Sequence, residues 1–159
     1  MTQMALEQAE HAGGFRSAAP AGWTAVVGHD GSASAAAVLE HAARRVGPRG
    51  YLVVVHALAL GAVAAEVHTG RTYARMVRSV LRSIEAALPD GVSYETRIVC
   101  GAPSRALLDA ASRCEADEIV LGAATGRALR GAVGRVSGAV LRQAECPVTI
   151  VPPAAGQGS

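Results

Sequence analysis

Residues 117–151, DEIVLGAATGRALRGAVGRVSGAVLRQAECPVTIV, constrain the fold more than any other stretch of the chain. Ile119-Val120-Leu121 is a short apolar run that stops at Gly122 and opens into a loop dense in glycine and arginine. Val133, Val136, Val140 and Ala144 then recur at helical spacing, Cys146-Pro147 breaks the helix, and Val148–Val151 is a second β-prone run. Strand, glycine loop, helix N-terminus and strand form a layout in which α/β proteins hold phosphates. Glycines admit close approach of the backbone, its N–H groups turn inward, and the helix dipole favours negative charge. A plain βαβ crossover, its glycines serving only tight turns, has the same local sequence. The motif alone leaves both readings open.

The rest of the chain continues the alternation. Residues 1–22 lack a sustained apolar period and read as a disordered leader; residues 153–159, rich in Pro, Ala and Gly, read as a disordered tail. Residues 23–28 (WTAVVG) form a first strand, apolar enough to be central in a sheet. His29-Asp30-Gly31-Ser32 is a polar turn, with Ser32 or Ser34 placed to cap the helix that follows. Val38, Leu39, Ala42 and Val46 give that helix its apolar face, and Gly47-Pro48 ends it. Residues 51–57 are a second strand, and 58–70, without a clear period, a long connection.

The clearest helix starts near Arg71. Tyr73, Met76, Val77, Val80, Leu81, Ile84 and Leu88 follow its repeat, while Arg71, Arg75, Arg78 and Arg82 line another, solvated face. Residues 92–99 alternate apolar with polar, as a strand with one wet face near a sheet edge does. Pro103 suits the first turn of a helix buried through Ala106, Leu107, Ala110 and Cys114. Strands and helices therefore alternate throughout, which predicts a doubly wound parallel sheet with helices on both faces. The loops after the first and fourth strands meet at the switch in strand order, so Asp30 and residues 122–137 are expected to face one crevice.

Composition narrows the chemistry. At 159 residues the chain suits one domain, and with 50% apolar and 3% aromatic residues its core must be packed from small aliphatic side chains. A net charge of +2 does not suggest a nucleic-acid or anionic-membrane surface. Every basic residue is Arg, so neither a P-loop lysine nor a Schiff base is available. Cys100, Cys114 and Cys146, odd in number and without C-x-x-C spacing, fit a reducing cytoplasm better than a disulfide framework or a zinc site. Residues 1–20 are polar and acidic, unlike a signal peptide, and the apolar stretch 52–65 is too short to span a bilayer.

Residues 23–152 resemble a single universal stress protein (UspA-type) domain. The signatures are VVGHDGSASAAAVLEHAARR, VVVHAL, GAPSRALLDAASRCEADEIVLG and VLRQAECPVTIV, in that order. The resemblance implies an adenine-nucleotide alpha-hydrolase-like fold, with a five-stranded parallel sheet in order 3-2-1-4-5. It also implies a homodimer, and the apolar last strand, Val148, Thr149, Ile150 and Val151, at the end of that sheet order is the edge expected to pair with its own copy. Nucleotide-binding members carry G-x-x-G-x9-G-[ST] after the fourth strand, and this sequence departs from it. Gly122 fits the first glycine, Thr125 stands at the second with Gly126 one place later, and Gly134 fits the third after a loop one residue short. Arg135 replaces the small hydroxyl residue, while Ser137 stands where many binders have another phosphate-contacting Ser or Thr. Asp30 matches the acidic residue beside adenine and ribose, and Ala57 the second-strand position whose backbone meets the base. With Gly28, Leu121 and Val136 these residues make the expected site, for ATP with Mg2+ accompanying its phosphates.

No residues are arranged to deliver a nucleophile. Gly134-Arg135-Val136-Ser137-Gly138 has its serine one place late for a nucleophile elbow, and the five histidines lack metal spacing. His29-Asp30 fits an acid/base pair less well than a hydrogen-bonded turn. The chain is thus expected not to be a dedicated enzyme, and two readings compete. One is an adenine-nucleotide-binding stress-response module acting through dimerisation and protein partners. The other is a nucleotide-free dimeric interaction protein in which Arg127, Arg130 and Arg135 serve a partner or fill the recess.

Overall fold

The structure, a computed structural model, describes residues 22–32, 34–58, 70–123 and 134–153, without the side chains of residues 70–72. The expected leader, the tail and the glycine loop at 124–133 lie outside the described residues, as does most of the connection before the arginine-lined helix. Among the described residues nine elements alternate: β1 (Thr24–Gly28), α1 (Ala35–Val46), β2 (Tyr51–Leu58), α2 (Gly70–Ala87), β3 (Ser93–Cys100), α3 (Pro103–Arg113), β4 (Glu118–Gly122), α4 (Arg135–Gln143) and β5 (Val148–Val151). All strand pairings are parallel, in the order β3-β2-β1-β4-β5.

The register follows from which strands are apolar on both faces. Thr24 to Val27 and Leu52 to Val55 are buried on either side of the sheet, so β1 and β2 occupy its interior. Ala25, Val27, Leu52, Val54 and Val120 face a layer built from Val38, Leu39, Ala42, Ala43 and Val46 of α1 and Ile84 of α2. Val26, Val53, Val55, Ile119 and Leu121 face Leu107, Ala110 and Ala111 of α3 and Val140 of α4. The core is aliphatic throughout, and each fully buried Leu, Ile or Val contributes roughly 1.5–3 kcal/mol.

Three local expectations need correction. Ser34 stands at the N-cap of α1 but makes no capping bond; its Oγ instead pairs with Ser32 Oγ at 2.9 Å, and the Ser32 carbonyl accepts the Ala35 N–H. Of the seven apolar positions assigned to α2, Ile84 is fully buried, Val80 and Leu88 pack partly, and Leu81 is 41% exposed. A helix over the margin of a sheet meets its neighbours along a narrower stripe than a central one. β3 is an edge strand as expected, yet its polar face is wet only at Ser93: Arg97 and Glu95 pair at 2.5 Å with side chains 22% and 14% exposed, and Tyr51 Oη donates to Glu95. Tyr94, which falls on the apolar side of the 92–99 alternation, is exposed.

The amino end of the sheet holds a buried carboxylate. Glu118, 1% exposed, accepts from Arg45 Nε at 3.2 Å and from the Thr149 hydroxyl. Burial pushes its carboxyl up, but the hydrogen bonds from Thr149, Arg45 and Trp23 outweigh that and hold it below the usual carboxylate range. Beside it the Thr24 N–H donates to Asp117 Oδ2 at 2.8 Å, which ties the starts of β1 and β4 together. Among the described residues no helix is long and apolar enough to cross a membrane.

Candidate functional site

β1 and β4 are neighbours, but α1 leaves β1 on one face of the sheet while α4 packs on the other. Their carboxyl ends therefore part, and a crevice opens at the switch in strand order. It is a recess of about 200 Å³. Its lining includes Gly28, Asp30, Ala57, Leu121, Gly122, Val136 and Ser137, seven of the residues singled out from the sequence. A Cβ at Gly28 would stand 2.6 Å from Leu121 Cδ2, so any larger residue here would displace the Leu121 side chain. The bare backbone at Gly28 leaves room for the Leu121 side chain, which forms one wall.

Asp30 sits exposed on the turn after β1. Its Oδ1 accepts the Ser32 N–H at 2.9 Å, an Asx-turn made possible by Gly31 at φ 78°. Partial burial pushes the Asp30 carboxyl up, but the Ser32 bonds and the His29 imidazole outweigh it and hold the group below its ordinary value. Asp30 is therefore ionised at neutral pH, an acceptor facing a mostly aliphatic slot. Across the recess, α4 begins at Arg135 after an extended Gly134, so the N–H groups of its first turn have no acceptor within the helix. Ser137, buried in that turn, lines the recess.

Gly134 and Arg135 do not line the recess, and the Arg135 side chain is exposed at the first position of α4. Thr125 and Gly126 lie outside the described residues. Sequence reasoning missed Val55, Pro103 and Leu107, which line the slot; the hydrogen-bonded turn expected at His29-Asp30 is present as the Asp30–Ser32 bond, but the partner of the His29 ring was not foreseen. The two do not bond to each other; His29 turns its ring to His56 instead. The parallel register carried that signal. Gly28 pairs with Val55, so the next residue on each strand is a histidine. Among the described residues no group of three or more His, Cys, Asp or Glu side chains could hold a metal ion. A larger groove of about 810 Å³, between α3 and the turn before β5, shares no lining residue with the recess and carries the mixed charges of Arg105, Asp109, Glu115 and Glu145.

Comparison with known proteins places this architecture. The chain is similar to a universal stress protein solved in complex with cAMP, at 30% identity over 85% of this chain and 98% of that one, with a TM-score of 0.59. A universal stress protein from Archaeoglobus fulgidus in complex with dAMP matches at 23% identity over 80% and 96%, TM-score 0.61. UspA from Lactobacillus plantarum matches at 24% over 81% and 97%, TM-score 0.60. Among curated proteins none matches the chain significantly. The family model for universal stress proteins matches residues 24–152, from the first residue of β1 to just past β5. With the sheet order and the signatures quoted above, that match assigns the chain: it belongs to the universal stress protein family.

Proposed function

We propose that this protein is a stress-response module that binds an adenine nucleotide in the recess between the carboxyl ends of β1 and β4, with ATP as the ligand. The observation that carries this reading is that an ionised, exposed Asp30 and the first turn of α4, whose N–H groups have no acceptor within the helix, lie across one slot. The carboxylate accepts from ribose hydroxyls or the base, and the helix end favours phosphate, with Mg2+ accompanying it. The walls, Val55, Leu107 and Leu121, suit a flat aromatic base. The cAMP complex of a relative 30% identical supports an adenine ligand. Arg135 is exposed and outside the lining, which favours this reading over one in which its guanidinium fills the recess. There it reaches phosphates from the rim. In this reading the site serves binding, and its output is assembly and partner contact.

Binding acts through assembly in this reading. β5 is a short edge strand whose Val148, Thr149 and Ile150 are half-buried, carry no charge and leave a ladder open. An apolar edge of this kind pairs with its own copy across a twofold axis. Light scattering at tens of micromolar is expected to give a dimer, weakened by Val148→Asp; a monomeric unmodified protein removes this part of the reading. Titration calorimetry is expected to give micromolar ATP binding, roughly −8 kcal/mol. No binding of ATP, ADP, AMP, cAMP or adenosine overturns the nucleotide site and leaves a dimeric interaction protein.

A further inference from the structure

Beneath the Asp30 turn lie two histidines that the preceding reading does not use. His29 and His56 are 4% and 9% exposed, and their Nδ1 atoms stand 3.1 Å apart. At that distance one nitrogen donates a proton and the other accepts it. The neutral pair satisfies this arrangement. So does a pair with one added proton, taken up on Nε2 of the donor ring. A second added proton sets N–H against N–H, and the bond between the rings is lost.

The bond is tied to the ligand-facing turn. The His29 N–H donates to the Val55 carbonyl at 2.9 Å, which extends the β1–β2 ladder by one residue, and Asp30 follows at once. Gly31 lies over the other ring, since a Cβ there would stand 3.8 Å from His56 Cε1. The Asp30 carboxylate is the charged group acting on both rings, and among the described residues α1 and β3 add no other. Burial pushes both imidazoles below the ordinary histidine range, against the pull of Asp30, so the rings are neutral at pH 7.

We propose that the His29–His56 pair is a latch beneath the recess that acid opens: it fixes the Asp30–Ser32 turn while the rings share a proton, and frees the turn when each ring carries its own. The two histidines are positioning residues, acting on the ligand through Asp30. The proposal rests on the reading of the recess as an adenine-nucleotide site and adds its control by pH.

Adenosine is the probe, because it has no group that titrates between about pH 5 and 7 and any change then belongs to the protein. Wild-type affinity is expected to hold through the first protonation and then to fall about tenfold per pH unit as the second proton binds. His56→Asn places an amide where Nδ1 stood, able to donate to a neutral His29 or accept from a charged one. That variant is expected to keep its affinity over the same range. A wild type that loses nothing in acid, or a variant that loses as much, overturns the latch. Failure of adenosine and every adenine nucleotide to bind at pH 7 overturns the underlying reading instead. The latch is then judged on ligand-free wild type by NMR. Ring resonances of His29 and His56 that titrate in two coupled steps below the ordinary histidine range, with the Ser32 amide moving in the second step and not in the first, support it. Rings that titrate independently within that range overturn it.

Discussion

Glu118 begins β4 and Asp30 follows β1, so two carboxylates stand at opposite ends of neighbouring strands. Both are held below the ordinary range by hydrogen bonds that outweigh burial. Their surroundings differ in one respect: Glu118 is 1% exposed and answered by the protein on every side, by Arg45, Thr149 and Trp23, whereas Asp30 is exposed and answered by Ser32 on its inner side. A carboxylate enclosed by its own donors contributes to folding. One whose outer lone pairs face a slot is prepared for donors from outside. Charge and a depressed pKa are common to both, so neither property alone marks a site; the closure of the donor set does.

The largest expected effect is on stability at the amino end. Glu118→Ala removes a buried acceptor, strands the Thr149 hydroxyl and leaves a void, and should cost roughly 2–4 kcal/mol in urea unfolding. Adenosine affinity should change less than about twofold. Asp30→Ala is the mirror experiment. It should cost roughly 1–3 kcal/mol of ATP binding while unfolding stability shifts by no more than about 0.5 kcal/mol. If Asp30→Ala proves as destabilising as Glu118→Ala, with ATP affinity unchanged, the contrast between the two ends fails. The smallest effect belongs to Arg135. Its removal by Arg135→Ala should weaken ATP by about 1 kcal/mol and adenosine hardly at all, and added salt should narrow the gap. Tighter ATP binding in that variant would mean that the guanidinium obstructs the phosphates.

The fold was legible because each strand and helix announces itself locally: WTAVVG, YLVVVHA and the Val38–Leu39–Ala42–Val46 face stand where the pattern puts them. The lining of the recess was legible where it depends on strand ends, as at Asp30 and Gly122, because the carboxyl end of a parallel sheet is fixed by chain direction, while Ala57 was reached through the family resemblance. Contacts that depend on register were not. His29 meets His56, and Glu118 meets Thr149, across 27 and 31 residues of chain, and no local period encodes either pair. The Leu81 and Tyr94 expectations failed for a related reason. Periodicity says which face of an element is apolar, and the position of the element in the sheet decides how much of that face is covered.

The pairing of β1 with β4 has a further consequence, for the order in which the molecule assembles. β1 can meet β2 as soon as the intervening helix is made, but Thr24 reaches Asp117 only across 93 residues. Closing so long a loop is entropically costly and slow beside local pairing. On a chain emerging amino end first, the half-sheet β3-β2-β1 is expected to form first, with one flank of β1 open. The recess does not exist until β4 docks on that flank. A ligand bound there can stabilise the finished sheet by mass action, but it has no surface on which to guide the first half.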